Sequence, residues 1–356
     1  MRAKSELIKK LLVLTMVGVI GVTTLAETTD KKLLTRQEAV KKAMDMSIQL
    51  KTISKQLDAT RETMRKKMED YTTFKTYEYE DMRIGMQQQQ QQQDYLKDKI
   101  EFSVSTNYND TLLLQKELLL LNQKIELGTK EVKQAEIKKR SGVLDEVSYQ
   151  KYILNLNSLK TQKSSKETEL KKVQQNFNLL TNIDITQYEL EDKITYTPYI
   201  FGNTIEFYIN SKVNDMVQYN QEAAEYYEET KLDRMLIGDG PAYLVPDKEA
   251  DLQSKATISD KYSTVEQMKN SYKTSLMNVY ASLVATTKQL EELQGQYKVK
   301  EKELKVIEIK YNAGLVSAYD YEKAQCEFDE LALNILMTTN SCQELQTSIQ
   351  KPWVAY

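Results

Sequence analysis

The sequence has no histidine and only two cysteines in 356 residues. Without histidine, neither a Ser-His or Cys-His nucleophile pair nor a histidine-ligated metal site can form. Cys326 and Cys342 lie on one predicted helix, about 24 Å apart along its axis, whereas a disulfide needs Cα atoms within about 7 Å. We therefore predict a non-enzyme with no metal, no cofactor and no internal disulfide, in which Cys342 is a small core residue.

Proline and glycine are scarce, with 4 and 10 copies, and the first proline is Pro198. The charged fraction is 28% and the mean hydropathy is −0.58, a combination that favours long exposed helices over a compact globule. The formal charge of −3 provides no basic field for nucleic acid. We predict an all-α protein that does not bind nucleic acid.

The only long apolar run lies in residues 1–26, which follow the pattern of a signal peptide. A basic start precedes an apolar core over residues 11–22, and Ala26 completes a small-x-small cleavage site. The alternative is an uncleaved membrane anchor, for which the apolar core is short. We expect an exported chain that begins at Glu27 and resides in the cell envelope. The place would be the outer membrane or periplasm, or otherwise the outer face of the cytoplasmic membrane or the cell wall.

Residues 131–151 recur 172 positions later as residues 303–323. A match at a fixed offset indicates internal duplication. We therefore divide the chain into a first helical repeat (27–181), a linker (182–203), a second helical repeat (204–351) and a tail (352–356). The shared residues are Glu131, Lys133, Glu136, Ile137, Lys138, Gly142, Tyr149 and Lys151, which recur as Glu303, Lys305, Glu308, Ile309, Lys310, Gly314, Tyr321 and Lys323.

Each repeat contains the local signals of a helix–tight turn–helix hairpin. A helical run ends at a glycine suited to the left-handed conformation. An apolar pair follows, and then an N-cap residue, Asp145 or Ser317. We predict positive φ at both glycines and exposure of Leu144 and Val316 at the ends of the hairpins. The turn residues are Gly142, Val143 and Leu144 in the first repeat and Gly314, Leu315 and Val316 in the second.

The remaining helices follow from capping and periodicity. Thr35 and Glu38 form a predicted capping box, and one helix is expected from there to about residue 70, with the second repeat beginning near Thr204. A long helix is predicted from about 259 to 312. The glutamine run Gln87–Gln93 is interpreted as low-complexity filler in an exposed helix or loop. The apolar face of the first helix consists of Ala39, Val40, Ala43, Met44, Ile48 and Leu50.

Heptad spacing predicts antiparallel coiled-coil packing within each hairpin. The first hairpin's positions are Leu114, Leu118, Leu121, Ile125, Gly128, Val132 and Ala135, followed by Tyr152, Leu156, Leu159, Lys163, Lys166, Leu170, Val173, Phe177 and Leu180. The second hairpin repeats the spacing from Leu290 to Ile307 and from Ala324 to Ile349. Lys163, Lys166 and Lys300 occupy seam positions, where we expect local solvent access.

These features together resemble the TolC family, the outer-membrane channel components of bacterial tripartite efflux and type I secretion systems. Residues 34–40 (Leu-Thr-Arg-Gln-Glu-Ala-Val) resemble the family's opening, and residues 34–50 resemble its first helix. Tyr108 and Tyr280 resemble residues at the start of its long helices. The two glycine turns resemble its Ala-Gly-Leu-Val turn.

The resemblance implies a homotrimer whose six hairpins form a helical tunnel. It also implies that the turns dock a membrane-fusion adaptor, which is coupled to an inner-membrane pump, for export of solutes or polypeptides. Gly142, Val143, Leu144, Gly314, Leu315 and Val316 match the docking motif. Some members close the tunnel with charged residues after the second glycine, where this chain has Val316 and Lys323.

Family members also insert two membrane-spanning strands between the first and second helices of each repeat. Residues 71–79 and 100–105 alternate only briefly and present no lipid-facing apolar row. We therefore predict that the β-barrel strands are reduced or absent. The alternative function is an exported structural coiled-coil protein without conduction, which would lack both an adaptor and a trimeric lumen.

Overall fold

The computed structural model describes residues 31–69, 76–202, 204–231 and 248–355. These residues are 88% helical, which confirms the predicted all-α class. Their seven α-helices are α1 (Arg36–Met46), α2 (Ile48–Glu69), α3 (Thr76–Arg140), α4 (Glu146–Thr181), α5 (Ile205–Glu229), α6 (Lys248–Asn312) and α7 (Ala318–Gln350). Ile185–Gln187 and Pro352–Ala355 form 3-10 turns, and strands β1 (Leu33–Leu34) and β2 (Glu189–Leu190) pair in parallel.

The predicted signal peptide, residues 1–26, and most of the Tyr71–Tyr79 connection lie outside the described residues. No helix among the residues described has an 18-residue stretch apolar enough to cross a bilayer. The long helices follow the predicted offset: α3 and α6 both contain 65 residues and begin at Thr76 and Lys248. The second long helix therefore begins earlier than the predicted residue 259.

The first predicted helix is interrupted at Ser47, which separates α1 from α2. The hydroxyl of Ser47 accepts a hydrogen bond from the amide of Leu50 at 3.2 Å and so caps the second helix. Ile48, which the sequence analysis places on the apolar face of this helix, is 78% exposed, so its assignment to that face is wrong. The buried residues of these two helices are Ala39, Ala43, Leu57 and Met64.

The described chain divides into two compact units, each built from both halves of the sequence. Unit 1 contains residues 31–43, 103–198 and 283–344. Unit 2 contains the described residues among 44–102, 199–282 and 345–355. The predicted repeats and linker describe the chain in sequence order, and their boundaries stay a prediction.

In unit 1, contacts place the helices in the order α4–α3–α7–α6. A Cβ on Gly128 of α3 would lie 3.4 Å from the Leu156 side chain of α4. Asn109 of α3 donates to Asn340 of α7 at 2.6 Å, and both side chains are buried. Tyr297 of α6 packs against Phe328 of α7, with ring centroids 4.7 Å apart. The predicted coiled-coil seams therefore lie within each hairpin, and a polar contact joins the two hairpins.

The seam lysines reach carboxylates at the edges of these contacts. Lys166 lies 3.1 Å from Glu117, and Lys300 lies 3.0 Å from Glu327. Both lysine side chains keep about a third of their surface in solvent, at 31% and 35%. This agrees with the expected solvent access at those positions. The predicted core position of Cys342 is confirmed, since its side chain is 0% exposed.

Tyr108 is a fully buried anchor of unit 1 that the sequence interpretation had placed at a helix start. It lies well inside α3, where its hydroxyl donates to the Leu34 carbonyl at 2.6 Å. The same hydroxyl accepts from the Glu191 amide at 2.6 Å. The centre of its ring lies 6.4 Å from that of Phe177, and the two rings are tilted by 52°. The Tyr108 side chain thus links the β1–β2 pair to the α3–α4 hairpin.

In unit 2, α5 packs against α6 through a core of Ile209, Val213 and Leu276. The predicted tail also packs here, because the ring of Trp353 stacks on Tyr95 with centroids 4.2 Å apart. The Trp353 indole donates to Asp98 at 2.7 Å. Residues 352–355 are thereby an integral part of unit 2.

The glutamine run lies in α3 within unit 2, and the prediction that it is exposed is wrong for most of its members. Gln91 donates to the backbone carbonyl of Asp215 at 2.9 Å, and Gln88 donates to Asn220 at 3.3 Å. Both partners belong to α5. The run therefore serves as a half-buried polar contact, which composition alone could not distinguish from filler.

The α3–α7 contact of unit 1 also holds acidic side chains away from water. Burial raises the pKa of Asp110 to about 6, and the nearby carboxylates Glu344 and Glu169 add to the effect. Burial likewise raises the pKa of Glu344 above its ordinary range. A raised carboxyl pKa contributes stability that is complete below the unfolded value near 3.8 and is lost as pH rises through about 6.

We expect Asp110→Asn to raise the melting temperature at pH 7.5, because the variant removes a half-buried negative charge. The gain should be roughly 2 kcal/mol and should vanish near pH 4, where the wild-type carboxyl is protonated. Thermal unfolding of both proteins from pH 4 to 8 measures it. Glu126→Gln, at an exposed position of the same helix, is the control. An Asp110→Asn melting temperature equal to wild type across this range would contradict the assignment.

Candidate functional site: the two hairpin tips

Both hairpins of unit 1 end in the same backbone structure. We call residues 141–145 tip 1 and residues 313–317 tip 2. In tip 1, Gly142 has φ 74° and donates its amide to the Lys139 carbonyl at 3.0 Å. The amide of Val143 donates to the Lys138 carbonyl at 2.9 Å. This pair of bonds defines a Schellman motif, and it requires the left-handed glycine that the sequence predicted.

Tip 2 repeats each of these bonds 172 residues later. Gly314 has φ 70° and donates to the Tyr311 carbonyl at 2.9 Å. Leu315 donates to the Lys310 carbonyl at 2.8 Å. The predicted positive φ is thus confirmed at both glycines.

The return helices start at the predicted caps. Asp145 accepts the amide of Ser148 at 2.9 Å, and Ser317 accepts the amide of Asp320 at 3.1 Å. The hydrogen bonds from Ser148 lower the pKa of the Asp145 carboxyl. Each tip is therefore closed on both sides, by the glycine turn on one and by the cap on the other.

The exposed apolar residues of the tips differ from those predicted. Val143 and Leu315 are 76% and 75% exposed, whereas Leu144 and Val316 are half-buried. The prediction of exposure at the second residue of each apolar pair is therefore wrong. In tip 1 the Leu144 amide also bonds back to the Lys138 carbonyl at 3.2 Å.

A second apolar residue lies in the last turn of the helix that precedes each tip, α3 or α6. The sequence analysis did not identify it as a site residue. Ile137 and Ile309 are each 68% exposed. Both residues are isoleucine at positions 172 residues apart, and this match was the signal in the sequence that could have identified them. We call Ile137 with Val143, and Ile309 with Leu315, the tip apolar pairs. Each hairpin end therefore exposes apolar side chains at matched positions.

Charged residues surround the pairs unequally. In tip 1, Lys139 forms an ion pair with Glu146, whereas the position equivalent to Glu146 in tip 2 is Ala318. Above the tips, Tyr319 donates to Glu131 and Lys130 pairs with Glu322. The pKa of Tyr319 is raised, first by burial and then by Glu131. Of the residues predicted near a charged gate, Val316 is half-buried and Lys323 is exposed.

The glycine, valine, leucine and isoleucine residues of the two hairpin ends offer apolar contact and backbone hydrogen bonds. The Asp145 carboxylate and the Ser317 hydroxyl are engaged as helix caps. Across the ranges that the structure describes, no group of three or more acidic or cysteine side chains could hold a metal ion.

Comparison with known proteins gives a result at the level of the fold. No protein-family model and no curated protein matches the sequence. A membrane protein from Pseudomonas aeruginosa superposes with a TM-score of 0.61 at 9% identity, covering 89% of this chain and 93% of that one. The CmeC outer membrane channel of Campylobacter jejuni gives 0.56 at 10% identity, covering 89% and 85%.

The open state of the MtrE outer membrane channel of Neisseria gonorrhoeae gives a TM-score of 0.57 at 11% identity, covering 90% of this chain and 88% of that one. These likenesses cover about nine-tenths of the chain and agree with the resemblance found in the sequence motifs. The chain therefore has the fold of the TolC-family outer-membrane channels.

Proposed function

We propose that this chain is the subunit of a non-catalytic export channel of the cell envelope, a TolC-like homotrimer with an outer-membrane location. In this proposal an internally duplicated chain supplies two hairpins, and three copies enclose a tunnel for solutes or polypeptides. The tips dock a membrane-fusion adaptor that leads to an inner-membrane pump. The observation that carries the proposal is an unequal covering of duplicated helix faces in unit 1.

One face of α7 is covered by α3. Its residues are spaced by seven, and three of them are nearly inaccessible: Cys326, Leu333 and Asn340 are 5%, 5% and 4% exposed. The same positions 172 residues earlier form the α4 face, where every side chain is exposed. Leu154, the counterpart of Cys326, is 65% exposed. The α4 face consists of Val147, Leu154, Thr161 and Thr168.

The long helices show the same inequality. The α3 residues directed at α7 include Asn109, which is buried, and Lys130, which pairs with Glu322. Their counterparts belong to the α6 face, which is exposed throughout. A Cβ on Gly295 in this face would meet no atom within 4 Å. The α6 face consists of Ala281, Lys288, Gly295 and Lys302.

A second copy of the chain supplies the missing cover. If α6 of one copy packs on α4 of the next as α3 packs on α7, each uncovered face meets its duplicated partner. This contact is head-to-tail, so it closes into a ring when the rotation per copy divides the circle. With two hairpins per copy, three copies give the six-hairpin tunnel that the family resemblance implies.

The adaptor-docking part of the proposal rests on the tip apolar pairs. The α4 and α6 faces run along the helices, whereas Val143 and Leu315 lie in the turns between them. A partner that contacts the ends of the hairpins would therefore bury these two residues. Gly142 and Gly314 let the backbone turn within the contact, and the half-buried Leu144 and Val316 lie beside the exposed residues.

The test is the mass of the mature protein in solution and its association with an adaptor from the same genome. We expect three times the chain mass by light scattering and co-purification with the adaptor. A monomer or dimer that binds no adaptor would contradict the channel and favour an exported structural coiled-coil protein.

A further inference from the structure

Next to each tip, one side chain of the helix that precedes the tip lies on a tyrosine ring of the helix that follows it. Beside tip 1, the Lys139 ammonium lies 4.6 Å from the centre of the Tyr149 ring. At the tip 2 hairpin, the rings of Tyr311 and Tyr321 stack with centroids 4.9 Å apart and an interplanar angle of 5°. The two contacts occupy equivalent positions, 172 residues apart, although their chemistry differs.

The residue held by the tyrosine is the same one that receives the amide of the turn glycine. The Lys139 carbonyl accepts from Gly142 at 3.0 Å, and the Tyr311 carbonyl accepts from Gly314 at 2.9 Å. A displacement of either residue would break the bond that closes the Schellman motif. The tyrosine therefore acts on the turn through its neighbour, without touching the exposed apolar residue itself.

We propose that Tyr149 and Tyr321 are positioning residues for docking at the tips. They hold each glycine turn in one conformation, so that Val143 and Leu315 are presented to the partner without further ordering. A surface ordered before contact avoids the entropy cost of ordering it on binding. This inference rests on the proposed docking function.

The two contacts differ in their response to salt. Tip 1 is held by a cation–π contact and by the Lys139–Glu146 ion pair, both of which weaken as salt screens the charges. Tip 2 is held by an aromatic stack, which salt does not screen. The positioning role can therefore be tested separately at the two tips by changing the salt concentration.

The experiment combines Tyr149→Leu and Tyr321→Leu in the full mature protein and measures hydrogen exchange at the turn amides, 142–144 and 314–316. We expect exchange to quicken roughly three- to tenfold, the range set by such ring contacts, with a nearly unchanged melting temperature. Affinity for the adaptor should fall by a similar factor. Tyr149→Phe with Tyr321→Phe should restore both, since stacking needs the ring and not the hydroxyl.

In wild type, 1 M salt should quicken exchange at tip 1 and leave tip 2 unchanged. Exchange equal to wild type in the leucine variant would overturn the inference, as would faster exchange with unaltered adaptor affinity. In the latter case docking itself would stand. Its own test is the charge substitution at Val143 and Leu315, so failure of the positioning role and failure of docking give different results.

Discussion

Val143→Glu combined with Leu315→Glu should abolish adaptor binding and leave the folded protein intact. Both side chains are about three-quarters exposed, at 76% and 75%, so in the free protein the new carboxylates would remain in water. The turn amides bond to helix carbonyls through the backbone alone. We therefore expect unchanged helicity and a melting temperature within a degree or two of wild type.

In the docked state the same carboxylates would be enclosed without a counter-ion. Burying an unpaired charge costs several kcal/mol, which corresponds to an affinity loss of about a thousandfold or more. A pull-down or surface binding measurement with the adaptor reads this loss. The two substitutions should also act at separate tips, so each alone should give an intermediate effect.

The matched control places the same charges on exposed apolar residues away from the tips. Ile200 and Phe207 are 70% and 73% exposed. Ile200→Glu with Phe207→Glu should bind the adaptor as wild type does. Wild-type affinity in the Val143→Glu, Leu315→Glu variant would remove the docking role from the tips.

The success of the turn predictions has a local physical cause. A glycine after a helical run and a capping side chain three residues later act within a few residues of one another, so sequence alone specifies Gly142, Asp145, Gly314 and Ser317. The all-helical class is likewise set by scarce proline and by heptad spacing. These signals need no knowledge of distant contacts.

Most of the wrong predictions depended on tertiary contacts or on backbone detail. Ile48 is the exception, because it lies nine residues before the buried Leu57 and therefore on the opposite side of α2. Val143 and Leu315 are the exposed members of their pairs, whereas Leu144 and Val316 are half-buried, a difference that depends on the backbone path through each turn. The Tyr108 hydroxyl forms hydrogen bonds with Leu34 and Glu191, which lie in distant segments of the chain. No sequence pattern around Tyr108 indicates either partner.

The unequal covering of α4 and α7 also required the structure. The sequence predicts that the two helices are duplicates, but it does not indicate which copy finds its partner within the chain. Cys326 is covered within the chain and Leu154 is not. The predicted duplication then suggests that a second copy of the chain covers Leu154. The contacts of the covered pair then identify the residues that should meet between copies.

The ion pair Lys130–Glu322 joins α3 to α7. Its counterparts 172 residues away are Lys302 on the α6 face and Gln150, an exposed residue beside the α4 face. In the proposed ring, Lys302 of one copy should face Gln150 of the next at the separation of that ion pair. A chain with Lys302→Cys and Gln150→Cys should therefore cross-link to its neighbours through a bifunctional maleimide that spans this distance.

Three controls accompany the measurement. Each single-cysteine variant should stay a monomer on a denaturing gel, because a head-to-tail contact never brings two copies of one residue together. The wild-type protein shows whether the native Cys326 and Cys342, which are buried, react with the cross-linking reagent. Lys130→Cys with Glu322→Cys should cross-link within one chain, without any gain in mass, and so shows that the reagent spans the contact.

The central claim, that α6 of one copy covers α4 of the next in a closed ring of three, is tested by the size of the largest product. We predict a ladder of one, two and three linked chains that ends at three. No linked chains, a ladder that ends at two, or one that continues beyond three would contradict it.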